Sequence, residues 1–140
     1  MTTRPLSRYP SEARIHSELG LLTWHPRGML DASLAREILD FVEAEEATDP
    51  QPFQRFADLT ALNGIHLDSL DLTELTSRRA FTYHGPEVKT AILAFNPLDF
   101  GIAQMYARLM RKSPIEVRVF CRITSAAVWL NMPIEVLAAA

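Results

Sequence analysis

The sequence predicts one α/β domain, a mixed sheet of five strands with about four helices in the order β-β-α-β-α-β-α-β-α. Three observations lead there. Val88 to Phe95 (VKTAILAF) is apolar nearly throughout, as expected of a central strand covered on both faces. Short alternating stretches take turns along the chain with stretches whose apolar residues recur every three to four positions. The segment from Phe53 to Glu74 carries an apolar strand (Phe53, Phe56, Ala57, Leu59) through a loop at Asn63-Gly64 into a helix, which is half of a β-α-β unit.

Residues 1–11 have two prolines and little periodicity and are expected to form a loose arm. Glu12 to Ser17 and Leu21 to His25 both alternate, and Gly20 between them suggests a hairpin, with Pro26-Arg27-Gly28 stopping the second strand. Asp31-Ala32-Ser33 offers side-chain oxygens to the free amides of a helix whose apolar stripe is Leu34, Ile38, Phe41 and Val42. Glu43, Glu45 and Glu46 crowd the end of that helix, where the dipole favours bases, and read as a solvated acidic face or a docking surface. Thr48-Asp49-Pro50 ends it.

After the third strand, Asp71-x-x-Glu74 has capping-box form, with Asp71 expected as the N-cap and Leu72 and Leu75 facing inward. The fourth strand is Val88 to Phe95. Asn96-Pro97-Leu98-Asp99 then starts a third helix with a capping oxygen, a proline at the first helical position and an acid in the first turn. Leu98, Ile102, Met105 and Leu109 are expected to form its core stripe, and Phe100, Ala103, Tyr106 and Met110 make a second apolar stripe. That second stripe is either core as well or a face for an apolar ligand or membrane surface, with Arg108, Arg111 and Lys112 placed to meet anionic headgroups. Glu116 to Ile123 alternates as the fifth strand, Thr124-Ser125 starts a last helix, and residues 132–140 are expected to be a tail, leaving 12–131 as the domain.

The 140 residues suffice for a single core and leave no room for a second domain. Hydrophobic residues at 48% and charged residues at 22% fit a soluble globular chain, and the longest apolar run, Ala91 to Phe95, is only strand-length. No secretory signal is read in MTTRPLSRYPSEAR, so the cytoplasm is the expected compartment. The net charge of −3 is too small to argue for nucleic acid, and no basic patch is interleaved with aromatic residues. Charge is uneven, with 13 acids and 6 bases through Ser77 but 4 acids and 8 bases afterwards. The single cysteine, Cys121, excludes an internal disulfide and is expected to be a small buried thiol.

Little in the sequence points to catalysis. One cysteine and the scattered His16, His25, His66 and His84 give no zinc pattern. His66-x-Asp68 with Asp58 upstream could orient a base, but no G-x-S-x-G accompanies it, and both G-x-G-x-x-G and G-K-[ST] are missing. No enzyme activity, metal or cofactor is therefore expected. The carboxyl ends of the strands are the expected binding edge, around Asp58, Asn63, His66, Asp68 and Ser69.

Asp58-Leu59-Thr60, Asp68-Ser69, the run Asn96-Pro97-Leu98-Asp99-Phe100-Gly101-Ile102-Ala103-Gln104-Met105-Tyr106, and Glu116 to Phe120 followed by Ala127 to Leu130 together resemble the STAS and SpoIIAA-like family. The latter two stretches look most like the SpoIIAA-like branch, which is similar in fold to lipid-binding SEC14 (CRAL-TRIO) domains. The resemblance implies a regulatory module of anti-sigma-factor-antagonist type, binding a protein partner such as an anti-sigma factor or kinase, and makes Ser69 a candidate for phosphorylation. Ser69 stands in Asp68-Ser69-Leu70-Asp71, where the family has Asp-Ser-Ser-Gly, and an Asp71 cap would leave it just before the helix. As the alternative, the resemblance admits a carrier of an apolar ligand, or a module peripheral at the membrane, working through Phe100, Ala103, Tyr106 and Met110.

Overall fold

The structure, a computed structural model, describes residues 12–139, so the expected arm at residues 1–11 lies outside the described residues. The elements in chain order are β1 (Ala13–His16), β2 (Leu21–Trp24), β3 (Gly28–Asp31), α1 (Ala32–Thr48), β4 (Gln54–Asp58), β5 (Leu62–His66), α2 (Ser69–Thr82), β6 (Val88–Leu93), α3 (Pro97–Leu109), β7 (Ile115–Phe120), α4 (Ile123–Leu130) and α5 (Ile134–Ala138). The main sheet is the expected mixed sheet of five strands, ordered β1-β2-β4-β6-β7. β1 is antiparallel to β2, and β2, β4, β6 and β7 are parallel. A short 3-10 turn, Ser17–Leu19, links the first two strands, and Gly20 closes it with a φ of 61°, which an L side chain rarely adopts.

The parallel register lines up side chains in rows across the sheet. Leu22, Arg55, Thr90 and Val117 form one row and Trp24, Ala57, Ile92 and Val119 the next on the same face. Against this face pack Ile38, Phe41 and Val42 of α1, Leu75 of α2 and Ala103 of α3. The opposite face presents Leu21, Phe56, Ala91 and Leu93 to Ala126, Ala127 and Leu130 of α4 and Leu137 of α5. β6 is thus covered on both sides, with Ala91, Ile92 and Leu93 all buried.

The C-terminal residues expected as a tail carry α5, whose Leu137 is fully buried against the sheet. His25 holds the same residue from the side, donating from Nε2 to the Leu137 carbonyl at 2.8 Å. Truncating a buried leucine to alanine typically costs about 2–5 kcal/mol, so Leu137→Ala should lower the urea midpoint clearly. A midpoint within error of wild type would mean that α5 does not dock.

Four sequence expectations are corrected. The loop expected at Asn63-Gly64 is strand β5, paired in parallel with β3 as a separate two-stranded sheet. Each strand buries one apolar anchor, Leu30 and Ile65, which ties this ribbon to the main core. The N-cap of α2 is Asp68 and not Asp71. Asp68 Oδ1 accepts from the Asp71 amide at 2.8 Å while Asp71 Oδ2 accepts from the Asp68 amide at 3.0 Å, a reciprocal box that satisfies two free donors. The stripes of α3 are largely exchanged: Ala103 and Met110 are buried with Tyr106 packed beside them, whereas Leu98, Met105 and Leu109 are exposed and Ile102 alone of the expected core stripe packs against the core. Cys121 follows the end of β7 and is exposed, because the strand stops at Phe120.

Candidate functional site

Between the sheet and the layer of α1, α2 and α3 lies a cavity of about 160 Å³. Its walls are almost wholly apolar: Trp24, Ala57 and Ile92 from the sheet, Ile38 and Val42 from α1, Leu72 and Leu75 from α2, and Ile102 and Ala103 from α3. Ile65 of β5 and Leu30 of β3 close the end nearest the carboxyl ends of the strands. The other end is polar, lined by Arg55, Thr90, Arg79 and Tyr106. Arg55 and Thr90 stand side by side there because they are register partners on β4 and β6.

The polar end belongs to an ion-pair cluster joining α1, α2 and β4. Arg55 donates from Nη2 to Glu46 Oε2 at 2.7 Å and from Nε to the Phe53 carbonyl at 2.9 Å. Arg79, only 2% exposed, grips both oxygens of Glu46 through Nη1 and Nη2. Nearer the surface, Arg78 bridges Glu43 and Asp40. The pairs Arg36 with Glu74, Arg78 with Glu43 and Arg79 with Glu46 advance in step, so α1 and α2 run parallel and their basic and acidic ends meet. The acidic end of α1 is therefore not a solvated face: Glu45 is buried, and Glu43 and Glu46 are neutralised by arginines from α2 and β4.

Burial pushes the Glu43 carboxyl up, but hydrogen bonds from Arg78 and Thr82 and the charges of Arg78 and Arg79 outweigh it and hold the group below its ordinary value of 4.5. A carboxylate lowered in this way adds stability above its unfolded value, and that contribution is lost as pH falls through the folded value. As pH falls below 4.5, Glu43→Gln should therefore lose less stability than wild type. Equal losses in denaturant titrations below that pH would show that Glu43 does not contribute to the acid limb.

The residues expected at the strand ends are placed together only in part. Asp58 ends β4, and its Oδ1 accepts from the Thr60 amide at 2.9 Å and the Thr60 hydroxyl at 2.6 Å, fixing its own loop. Its Oδ2 lies 3.9 Å from His25 Nε2, a neighbour the sequence did not suggest. Asn63 and His66 are exposed on β5, with His66 in register with Asp31 of β3. Asp68 and Ser69 are exposed at the start of α2, and Ser69 is its first residue, contrary to the expectation that it would precede the helix. Of the second α3 stripe, Ala103 and Tyr106 line the cavity, whereas Met110 packs beyond its polar end with Tyr83, Val88 and Ile115. Phe100 is half-buried. The sequence missed Arg55 and Arg79 altogether, and an arginine between Phe53 and Phe56 in a strand expected to be apolar was the signal that could have found the first.

Among the described residues no group of histidine, cysteine or carboxylate side chains could hold a metal ion, and no helix is long and apolar enough to cross a membrane. No protein-family model matches the chain, and no curated protein sequence does either. Among solved structures, an uncharacterized protein of the DUF3478 family from Shewanella loihica PV-4, described as having a SpoIIAA-like fold, aligns with a TM-score of 0.51 at 19% identity. The alignment covers 79% of this chain and 83% of that one. The chain thus has a SpoIIAA-like α/β fold, as the motifs of its third helix and fifth strand suggested.

Proposed function

We propose that this protein is a non-enzymatic binder of a small apolar ligand, held between the sheet and α1–α3. The cavity is the observation that carries this reading. Protein interiors are packed nearly as densely as organic crystals, and unfilled apolar space forfeits contacts at roughly 24 cal/mol per Å³. About 160 Å³ of apolar space between the sheet and the helices is room that the apolar surface of a ligand would fill. A volume near 150 Å³ lined by aliphatic and aromatic groups is also what takes up benzene. α3 is the element that would move to admit a ligand. It contributes Ile102, Ala103 and Tyr106 to the wall, and its outer stripe of Leu98, Met105 and Leu109 with Arg108, Arg111 and Lys112 suits an anionic membrane surface. The test is mass spectrometry of small molecules extracted from protein purified from its native cells. One apolar species near stoichiometry, missing from an Ala103→Phe variant whose cavity is filled, is the expected result. Its absence from wild type would count against the reading.

A second reading, a regulatory module for a protein partner, is favoured by the surface at the carboxyl ends of the strands. The crossovers between parallel strands make α2 and α3 both start at that edge. Leu70, Phe95 and Leu98 are 79%, 64% and 73% exposed there, beside Asp58, Asp68 and Ser69. Such a patch of apolar residues in a polar surround has the make-up of a partner site. Phosphate on Ser69 would add about −1.5 to −2 charges between the two carboxylates of the capping box, and should repel a partner without stabilising the fold. Ser69→Asp should therefore bind a captured partner more weakly than Ser69→Ala. Equal affinities would reduce Ser69 to a plain first-turn residue.

A further inference from the structure

We infer that the buried end of the cavity is a carboxylate site, so that the ligand is a small apolar acid the size of one ring or a short branched chain. This rests on the cavity being a ligand site and adds the chemistry of its head group. In the inner part of the ion-pair cluster two guanidinium groups, Arg55 and Arg79, share one carboxylate, Glu46. Glu43, the next acid, lies nearer the surface and is held by Arg78, with a longer contact to Arg79 Nη1 at 3.4 Å. Both inner guanidinium groups line the cavity and no carboxylate does, and their donors outnumber their acceptors, since each guanidinium has five N–H groups.

The neighbouring groups suit the same occupant. Tyr106 lines this end of the cavity, and its hydroxyl makes no hydrogen bond to any described residue, which leaves a donor free for a ligand oxygen. Burial pushes the phenol upward against the charges of Arg79 and Arg55, so it is protonated and can donate at neutral pH. Thr90, beside Arg55 on the next strand, offers a second hydroxyl. Burial, opposed by Glu46 and aided by the like charge of Arg79, lowers the Arg55 guanidinium, and an entering anion would relieve that strain. A buried carboxylate needs paired charge and several donors, and this end provides both next to an apolar chamber.

Calorimetric titration of the full chain at neutral pH with benzoate and with toluene, two probes of similar size, tests this. Benzoate should bind at least about tenfold tighter than toluene, the scale of one charge-assisted hydrogen bond. Tyr106→Phe and Thr90→Val, both conservative enough to fold, should weaken benzoate by roughly 3- to 30-fold while changing toluene by less than about twofold. Toluene binding with benzoate equal or weaker would overturn the carboxylate site and leave the apolar cavity standing. If neither probe bound, both the carboxylate site and the ligand-binding reading beneath it would fall.

Discussion

Replacing Ile92 with aspartate is expected to abolish cooperative folding. Ile92 is 7% exposed in the middle of β6, with β4 and β7 bonded on either side, and it faces the cavity between α1 and α3. A carboxyl group there has no cation in its own row, which holds Trp24, Ala57 and Val119, and Arg55 in the next row is already held by Glu46 and the Phe53 carbonyl. Burying it unpaired costs several kcal/mol, against a total stability of about 5–15 kcal/mol for a domain of this size. Thermal melts followed by near-ultraviolet circular dichroism should lose their sigmoidal transition. A cooperative melt close to wild type would contradict both the central position of β6 and the packing of the helices over it.

Glu46→Ala is expected to give the second largest loss, about 3–5 kcal/mol, because it removes the one carboxylate shared by two buried arginines. Arg55 would then lose its carboxylate, and Arg79 would keep only the longer contact to Glu43 at 3.4 Å. Arg118→Ala is the matched control. Its partner Glu116 lies at 3.4 Å with both side chains more than half exposed, and such a pair contributes at most about 1 kcal/mol. Urea unfolding should separate the two variants by several kcal/mol. Similar midpoints would mean that water penetrates the cluster and that no buried charged pole exists.

The main sheet was legible because its signals are local. Val88 to Leu93 announces a doubly covered strand through composition alone, and Asp31 and Asn96 announce their helices through side chains that reach only three residues ahead. What escaped depends on partners far along the chain. Arg55 meets Glu46 across 9 residues and Arg79 meets it across 33, so glutamates that end a helix against its dipole read as solvated until α2 is placed beside them. β3 and β5 carry Gly28 and the Asn63-Gly64 pair, which read as a strand stop and a turn. In α3 both stripes are apolar and periodicity cannot rank them. The position of the polar residues could have done so, because Gln104 and Arg108 stand across the helix from Tyr106 and thus place Tyr106 inside. The cavity itself was not legible, since an unfilled volume is a property of how three helices meet the sheet and belongs to no segment of sequence.

The most direct measurement of the central claim is a crystal of the protein pressurised with xenon. A dry apolar cavity binds xenon, while a collapsed or water-filled one does not. A single strong anomalous peak enclosed by Ile92, Ala103 and Ile65 is the result expected of the cavity between the sheet and α1–α3. Diffraction from pressurised crystals with no xenon at that position, or with ordered water filling it, would contradict the account.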